Sequence, residues 1–544
     1  MDESGVTEFF PAFPISPLQA SGEGRGEFAS QIGYFPLNSF QSIPLPPSID
    51  RHSADPDITL YPGLLFLRWD YHLSHHIIAS LHHHDTSLFN SPDIKKMAPT
   101  HTAVSAPGKV FLAGGYLVLD RAYTALVFGL SARISVVARE IETSQGVQLQ
   151  EIVVTSPQFQ DSQWRYGYHL LPDGAGIKVT QLHAGSSINP NPFVETTLTY
   201  ALTYIASVSP SRHRSAFSLD PVHLTVLADN DYYSQPHTIP HTEKNPTRFS
   251  KFPTPLKDAN KTGLGSSAAL VTSLTASLLT HYLPAELFAI ESDEGRRVLH
   301  NLAQAAHCAA QGKVGSGFDI AAAVYGSCRY RRFSPAILKD LPEPGAKGFA
   351  PAVVDLVTSE KTWDTEVSKE GVRVPPGMAI RMCDVDCGSQ TVGMVKQVLA
   401  WKASAPEQSK QLWDSLQAKN EALGRILAED RKDEIKPAVD AIRELIRAMG
   451  AESGVPIEPE SQTALLDALV AEVDGVYNGV VPGAGGFDAL ALLMRDDEET
   501  ETKVKEFVKG WGKEHGGMVR LLDVKGEMEG VRKETLGQYD GWLN

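Results

Sequence analysis

Cysteine is scarce in this chain: there are four in 544 residues, Cys308, Cys328, Cys383 and Cys387. None shows the Cys-x-x-Cys spacing of a zinc site, and Cys383 and Cys387 lack a second pair. So sparse a set builds no disulfide framework and suits a reducing compartment. Long apolar runs are missing too, none reaching the roughly 18 residues that a membrane span needs. Positive charge is in deficit, 49 Lys+Arg against 65 Asp+Glu for a net charge of −16. That excludes nucleic acid as a general partner, because no basic field exists to meet phosphate backbones. The final Gly-Trp-Leu-Asn is not a peroxisomal Ser-Lys-Leu address. A cytoplasmic protein with small-molecule ligands is expected, with no membrane and no obligate protein partner.

The first 96 residues lack other things. No lysine precedes Lys95, prolines are frequent, and 7 of the chain's 18 histidines fall here. His72, His75, His76, His82, His83 and His84 crowd one patch, but no periodic apolar pattern organises them into a metal site. Asp2, Glu3, Glu23 and Glu27 argue against a transit peptide, which is poor in acids. Residues 1–96 therefore read as a disordered extension or a gene-model artefact, with Met97 a natural start.

From residue 99 the pattern becomes regular. Ala103–Val110, Tyr116–Leu119, Thr124–Leu130, Ile134–Ala138, Val222–Leu227, Met378–Asp384, Phe487–Met494 and Val519–Val524 read as strands. Helices are expected at Val194–Val208, Ser266–Tyr282, Asp293–Gln311, Ile320–Val324, Thr391–Ala403, 406–427, 431–449, Glu460–Val476 and 498–513. A polar, Pro-rich loop spans Asp229–Asn260. The mixture without regular β-α alternation indicates an α+β fold.

The most informative stretch is Lys261-Thr-Gly-Leu-Gly-Ser-Ser-Ala-Ala-Leu270. Its glycines allow left-handed turns and close backbone approach, and the helix that follows presents unpaired N–H groups to whatever sits there. That makes an anion cradle, most simply for nucleotide phosphates. It is not a Walker A loop, because Lys261-Thr262 precedes the glycines. Alone it is equally a helix cap. Two further segments accompany it: Ser105-Ala-Pro-Gly-Lys-Val-Phe-Leu-Ala-Gly-Gly-Tyr-Leu-Val-Leu119 and Gly479-Val-Val-Pro-Gly-Ala-Gly-Gly-Phe-Asp488.

Together the three resemble the signature blocks of the GHMP kinase superfamily, over about residues 98–540 with a divergent stretch near 335–375. The segment 306–326, with Arg329, Arg331 and Arg332 after it, and the run Cys387-Gly-Ser-Gln-Thr-Val-Gly-Met-Val-Lys396 are similar to the phosphomevalonate kinase branch. Ala113-Gly-Gly-Tyr-Leu-Val-Leu-Asp120 matches its fungal form; mevalonate kinases usually carry Gly-Glu-His here.

The resemblance implies a GHMP fold. Residues 98–345 would form an ATP-binding domain like ribosomal protein S5 domain 2, and 375–544 a ferredoxin-like C-terminal domain. It implies ATP and Mg²⁺ as cofactors and transfer of phosphate to 5-phosphomevalonate. Lys109 and Asp319 take the catalytic positions. Lys261, Gly263, Leu264, Gly265, Ser266, Ser267 and Ala268 take the nucleotide, with Ser266 or Ser267 reaching Mg²⁺. Tyr116, Lys313, Ser316, Ser389, Thr391, Lys396, Gly483, Gly485 and Gly486 are the substrate-side candidates. Bland readings stand beside these. Lys109 could be a strand-end surface lysine, the serines and Asp319 could be helix caps, and the second glycine loop could be only a tight turn. Where mevalonate kinases place a metal-binding glutamate, this chain offers Gln304, His307 and Gln311.

Overall fold

Residues 102–113 are mostly small or apolar and nearly all of them are buried, so the segment forms a central strand, β1 (Thr102–Ala113). The structure is a computed structural model. It describes residues 101–543 apart from 145–146, 148, 183–189, 210–218, 235–238, 241–247, 361 and 386–390; the expectations for residues 1–96 and for Ser389 lie outside them. Pro107 has no N–H to give, and the pairing of β1 with β2 (Ala125–Glu140) slips in register between Pro107 and Lys109. The segments expected at Thr124–Leu130 and Ile134–Ala138 are one strand.

Tyr116–Leu119 corrects the sequence reading: it is a single 3-10 turn. Gly114, at φ +102°, packs so closely on Ala125 that a Cβ would lie 2.7 Å from its Cα. The chain reverses there, and Val118 N–H donates to the Gly114 carbonyl (3.1 Å). Tyr116, Leu117 and Val118 are all buried. A short apolar run buried on every side carries no period to separate strand from turn.

The first half continues through β3 (Glu151–Thr155), β4 (Gln163–Leu170) and β5 (Ile177–Leu182), then α1 (Pro192–Val208) and β6 (Val222–Ala228). The Pro-rich loop holds a two-residue hairpin, β7 (Ile239–Pro240) with β8 (Ser250–Lys251). Then come α2 (Ser266–Tyr282), α3 (Asp293–Gln311), α4 (Phe318–Tyr325), β9 (Cys328–Arg331), α5 (Phe349–Thr358) and β10 (Glu366–Ser368). Helix α2 lies on β1 and β2, with α1, α3 and α4 around it. Such company explains why α2 is apolar on all sides.

The second half runs β11 (Met378–Val385), α6 (Thr391–Ser404), α7 (Pro406–Ala428), α8 (Ile435–Ser453), α9 (Glu460–Glu472), β12 (Val476–Val480), β13 (Ala489–Arg495), α10 (Glu498–His515), β14 (Val519–Glu527) and β15 (Arg532–Lys533). Helix α9 ends at Glu472, short of the expected Val476, because Val476 opens β12. Strands β11 to β14 form an antiparallel sheet in the order β12-β13-β11-β14, the ferredoxin-like arrangement. Gly526↔Leu130 and Glu527↔Gly129 then join β14 to β2, so one sheet runs through both halves. Among the described residues no helix is long and apolar enough to cross a membrane.

The return of the chain to β1 is fastened by one buried cation. The Arg133 guanidinium, 1% exposed, donates to Ser105 Oγ (2.7 Å), the Ser105 carbonyl (3.2 Å), the Gly530 carbonyl (2.5 Å) and Glu527 (3.2 Å). Ser105 in turn donates to Glu534 (2.6 Å). Removing such a cation strands buried acceptors and typically costs about 3–5 kcal/mol. Arg133→Met should lower the unfolding free energy obtained from urea titration by an amount in that range. Arg133→Lys should rescue little, since an ammonium cannot match the planar fork. Unchanged unfolding of both variants would contradict this account.

Candidate active site

Three glycine-containing loops, strand β1 and helices α3 and α6 bring the site together. The first loop is placed by Lys109: its N–H donates to the Leu264 carbonyl (2.9 Å) and its Nζ to the Gly263 carbonyl (3.1 Å). Gly265, at φ +86°, caps α2, and a Cβ there would sit 2.9 Å from Lys109 Cγ. Lys109 is therefore a clamp on the loop, not a strand-end surface lysine. Burial pushes its ammonium below the ordinary lysine value, and the negative charge of Asp319 opposes that in part. Neither Ser266 nor Ser267 caps α2 by its side chain.

Asp319 sits inside the first turn of α4, one residue beyond Phe318, because Gly317 (φ +83°) takes the cap position. A Cβ at Gly317 would lie 2.6 Å from the Tyr330 hydroxyl and 2.8 Å from Gln304 Oε1, so only glycine fits. Asp319 Oδ1 accepts from Ile320 N–H (3.0 Å), while Oδ2 faces His307 Nδ1 at 3.9 Å. His307 Nε2 lies 3.1 Å from Ser267 Oγ and 3.0 Å from Gln311 Nε2. The Phe111 and Phe318 rings pack at 4.0 Å beside the carboxylate, with Lys109 Nζ 5.7 Å from the Phe318 centroid.

These groups line a cleft of about 580 Å³. It gathers Lys109, Tyr116, Gly265, Ser267, Lys313, Ser316, Asp319 and Gly483 from the expected set. The Tyr116 hydroxyl is committed to the Ala484 carbonyl (2.7 Å), tying the first block to the last glycine loop. A second, smaller cavity of about 100 Å³ lies beside it, lined by Trp164, Phe193, Tyr233, Asn191, Lys261, Ser266 and Ser267 among others. Ser267 lines both.

The remaining expected residues fall elsewhere. Lys396 is exposed on α6, which contributes Val395 and Leu399 to the cleft instead. Thr391 begins that helix. Gly485 is demanded by packing, since a Cβ would lie 2.2 Å from the Ile457 carbonyl, and Gly486 N–H donates to that same oxygen (3.0 Å). Ala268 is buried in α2.

Sequence reasoning undervalued Arg332. Its guanidinium donates to the carbonyls of Leu119 (3.0 Å), Val314 (3.2 Å) and Gly315 (2.9 Å), holding the loop before Asp319 along one wall. Burial lowers its pKa. In sequence it is one of three closely spaced arginines, with Arg329 and Arg331, and only tertiary structure singles it out.

The family profile described as "GHMP kinases N terminal domain" matches residues 250–327, the stretch from β8 to the end of α4. A solved structure of a Lin0012 protein from Listeria innocua superposes with a TM-score of 0.55 at 17% identity, covering 80% of this chain and 99% of that one. A Streptococcus pneumoniae phosphomevalonate kinase in complex with phosphomevalonate and AMPPNP gives 0.51 at 18% identity, covering 78% and 99%. The fold is thus that of the GHMP kinases. Among curated proteins, a phosphomevalonate kinase of Gibberella zeae is 66% identical over 444 residues, 81% of this chain and 98% of that protein. One from Aspergillus fumigatus is 44% identical over 496 residues, covering 82% and 99%. The chain belongs to the phosphomevalonate kinase family.

The Lys109–loop contact leaves no room for a side chain at 265. Gly265→Ala should lower kcat about 100-fold, the scale of an ångström-sized misplacement of a reacting group. Its melting temperature should fall far less than a core cavity would cause. Wild-type kcat in that variant would refute the clamp.

Proposed function

We propose that this kinase transfers the γ-phosphoryl group of ATP to 5-phosphomevalonate, giving 5-diphosphomevalonate for isoprenoid and sterol synthesis. The observation that carries the reading is the position of Ser267 at the junction of two cavities, with Lys109 and Asp319 lining the larger one. The smaller cavity, walled by Trp164, Phe193 and Tyr233, suits an adenine ring, with Asn191 for its polar edge. The phosphates then lie over Gly263–Ser267 at the N-terminus of α2, and the acceptor occupies the larger cleft. We read residues 98–345 and 375–544 as two lobes that share this cleft.

Ser267 and Asp319 offer hard oxygen donors to one cleft, and among the described residues no cluster of three His, Cys, Asp or Glu could hold a metal alone. That suits Mg²⁺ arriving with the nucleotide, since the ion keeps several waters and takes few protein ligands. Bound there, it neutralises charge on the β- and γ-phosphates.

The protein's own part is positioning and charge. The acceptor is a phosphate monoester whose second pKa is about 6, so it arrives largely ionised at neutral pH. A strong general base is not required. Asp319 favours the charged form of Lys109 against its burial, and Lys109 meets the charge building up between donor and acceptor. Lys313, exposed at the rim, and Ser316 are placed to meet the acceptor.

A coupled ADP-release assay comparing mevalonate, 5-phosphomevalonate and 5-diphosphomevalonate should give turnover with the second alone. Absence of turnover with it overturns the assignment. In Asp319→Asn, residual activity should rise between pH 6 and 8.5 as the acceptor ionises. If none returns at pH 8.5, Asp319 is an obligate base and the positioning role fails.

A further inference from the structure

We infer that His307 is a positioning residue, which ties the phosphate-loop hydroxyl of Ser267 to the carboxylate of Asp319; the inference rests on the kinase reading above. His307 lies in the last turns of α3, 2% exposed, with the Phe193 ring 5.7 Å from its own. Its two nitrogens face different parts of the site. On one side Nε2 has Ser267 Oγ at 3.1 Å and Gln311 Nε2 at 3.0 Å; on the other Nδ1 has Asp319 Oδ2 at 3.9 Å.

The donor inventory orders this chain. The Gln311 amide nitrogen only donates, so Nε2 accepts, and the hydrogen of a neutral ring sits on Nδ1, facing Asp319. Nε2 has one lone pair, so the Ser267 hydroxyl shares it with the Gln311 amide, and the serine lone pairs are then left for the cation that accompanies the nucleotide's phosphates. Asp319 Oδ1 accepts from the Ile320 N–H, and Oδ2 faces the imidazole. At 3.9 Å the second contact is longer than a hydrogen bond, and the positioning role requires it to shorten when the nucleotide seats against Ser267. A buried histidine that only filled space would not need its two nitrogens turned toward two parts of one cleft.

Three variants separate the two ends. His307→Phe keeps the ring volume and removes both nitrogens. His307→Gln reaches the Nε2 side, and His307→Asn the Nδ1 side. For His307→Phe, kcat should fall 10- to 100-fold, the scale seen when a group orienting a reactive ligand is lost. KM for 5-phosphomevalonate should stay within about threefold. ATP affinity, titrated calorimetrically in EDTA, should weaken several-fold in the Phe and Asn variants and recover in Gln; kcat should recover partly in Asn. Wild-type kcat and ATP affinity in His307→Phe would overturn the proposal. So would equal losses in all three variants that track their melting temperatures, which mark a packing role. If the Phe variant does not fold, the opposite patterns of Gln and Asn decide. The ATP titration needs no acceptor, so it stands even if wild-type enzyme fails on 5-phosphomevalonate, an outcome that would count against the function and not against His307.

Discussion

Everything in the cleft depends on the close approach of one lysine to one loop. Lys109 reaches the phosphate loop twice, through its backbone N–H at Leu264 and through its ammonium at Gly263, and its methylenes occupy the space where residue 265 would carry a side chain. The loop therefore has no conformation independent of β1. Since β1 is buried along nearly its whole length, the stiffness of the sheet passes directly to the backbone of this loop. Preorganisation of this kind lets a charged site act without reorganising at the moment of transfer.

Burial is the cost of that arrangement, and the neighbouring carboxylate offsets part of it. A lysine drawn out of water tends to lose its proton, and Asp319 pulls the other way. The same carboxylate is anchored on its own helix by Ile320 N–H. Helix α4 can begin where it does because Gly317 fits a space with no room for a Cβ between Tyr330 and Gln304. Arg332 holds the preceding loop by three carbonyls. The aspartate is thus fixed by glycine sterics, a helix turn and an arginine clasp.

Much of this was legible in the sequence, and the gaps have physical causes. Helices α1, α2 and α3 are long enough for composition and capping to locate them within a residue or two. The outer strands β3, β4 and β5 were not read: they do alternate buried and less buried residues, but each offers only two or three buried side chains, too few to mark a period in sequence. Tyr116–Leu119 was misread because its burial comes from neighbours distant in sequence. At the site, Lys109, Ser267 and Asp319 were found by their blocks. His307 and Gln311 were visible only as an unexplained departure, since nothing linear says which nitrogen of a ring faces which loop. Gly485 and Gly486 look like ligand-binding glycines in sequence and prove to be packing against Ile457.

The last described segment of the chain lies against one of the first. Strand β15 pairs with β1 at Val104 and Ser105, and Tyr539 and Trp542 close over Ala103 and Val137 in the same apolar cluster. The strand that carries Lys109 is thus synthesised early and completed late. During translation, which proceeds from the N-terminus, the nucleotide loop can be made and its helix formed while the edge of its supporting sheet is still open. A nascent chain halted before residue 532 would carry every reactive group of the cleft without the strand that finishes its frame. The frame of that strand is therefore complete only with the last dozen or so residues.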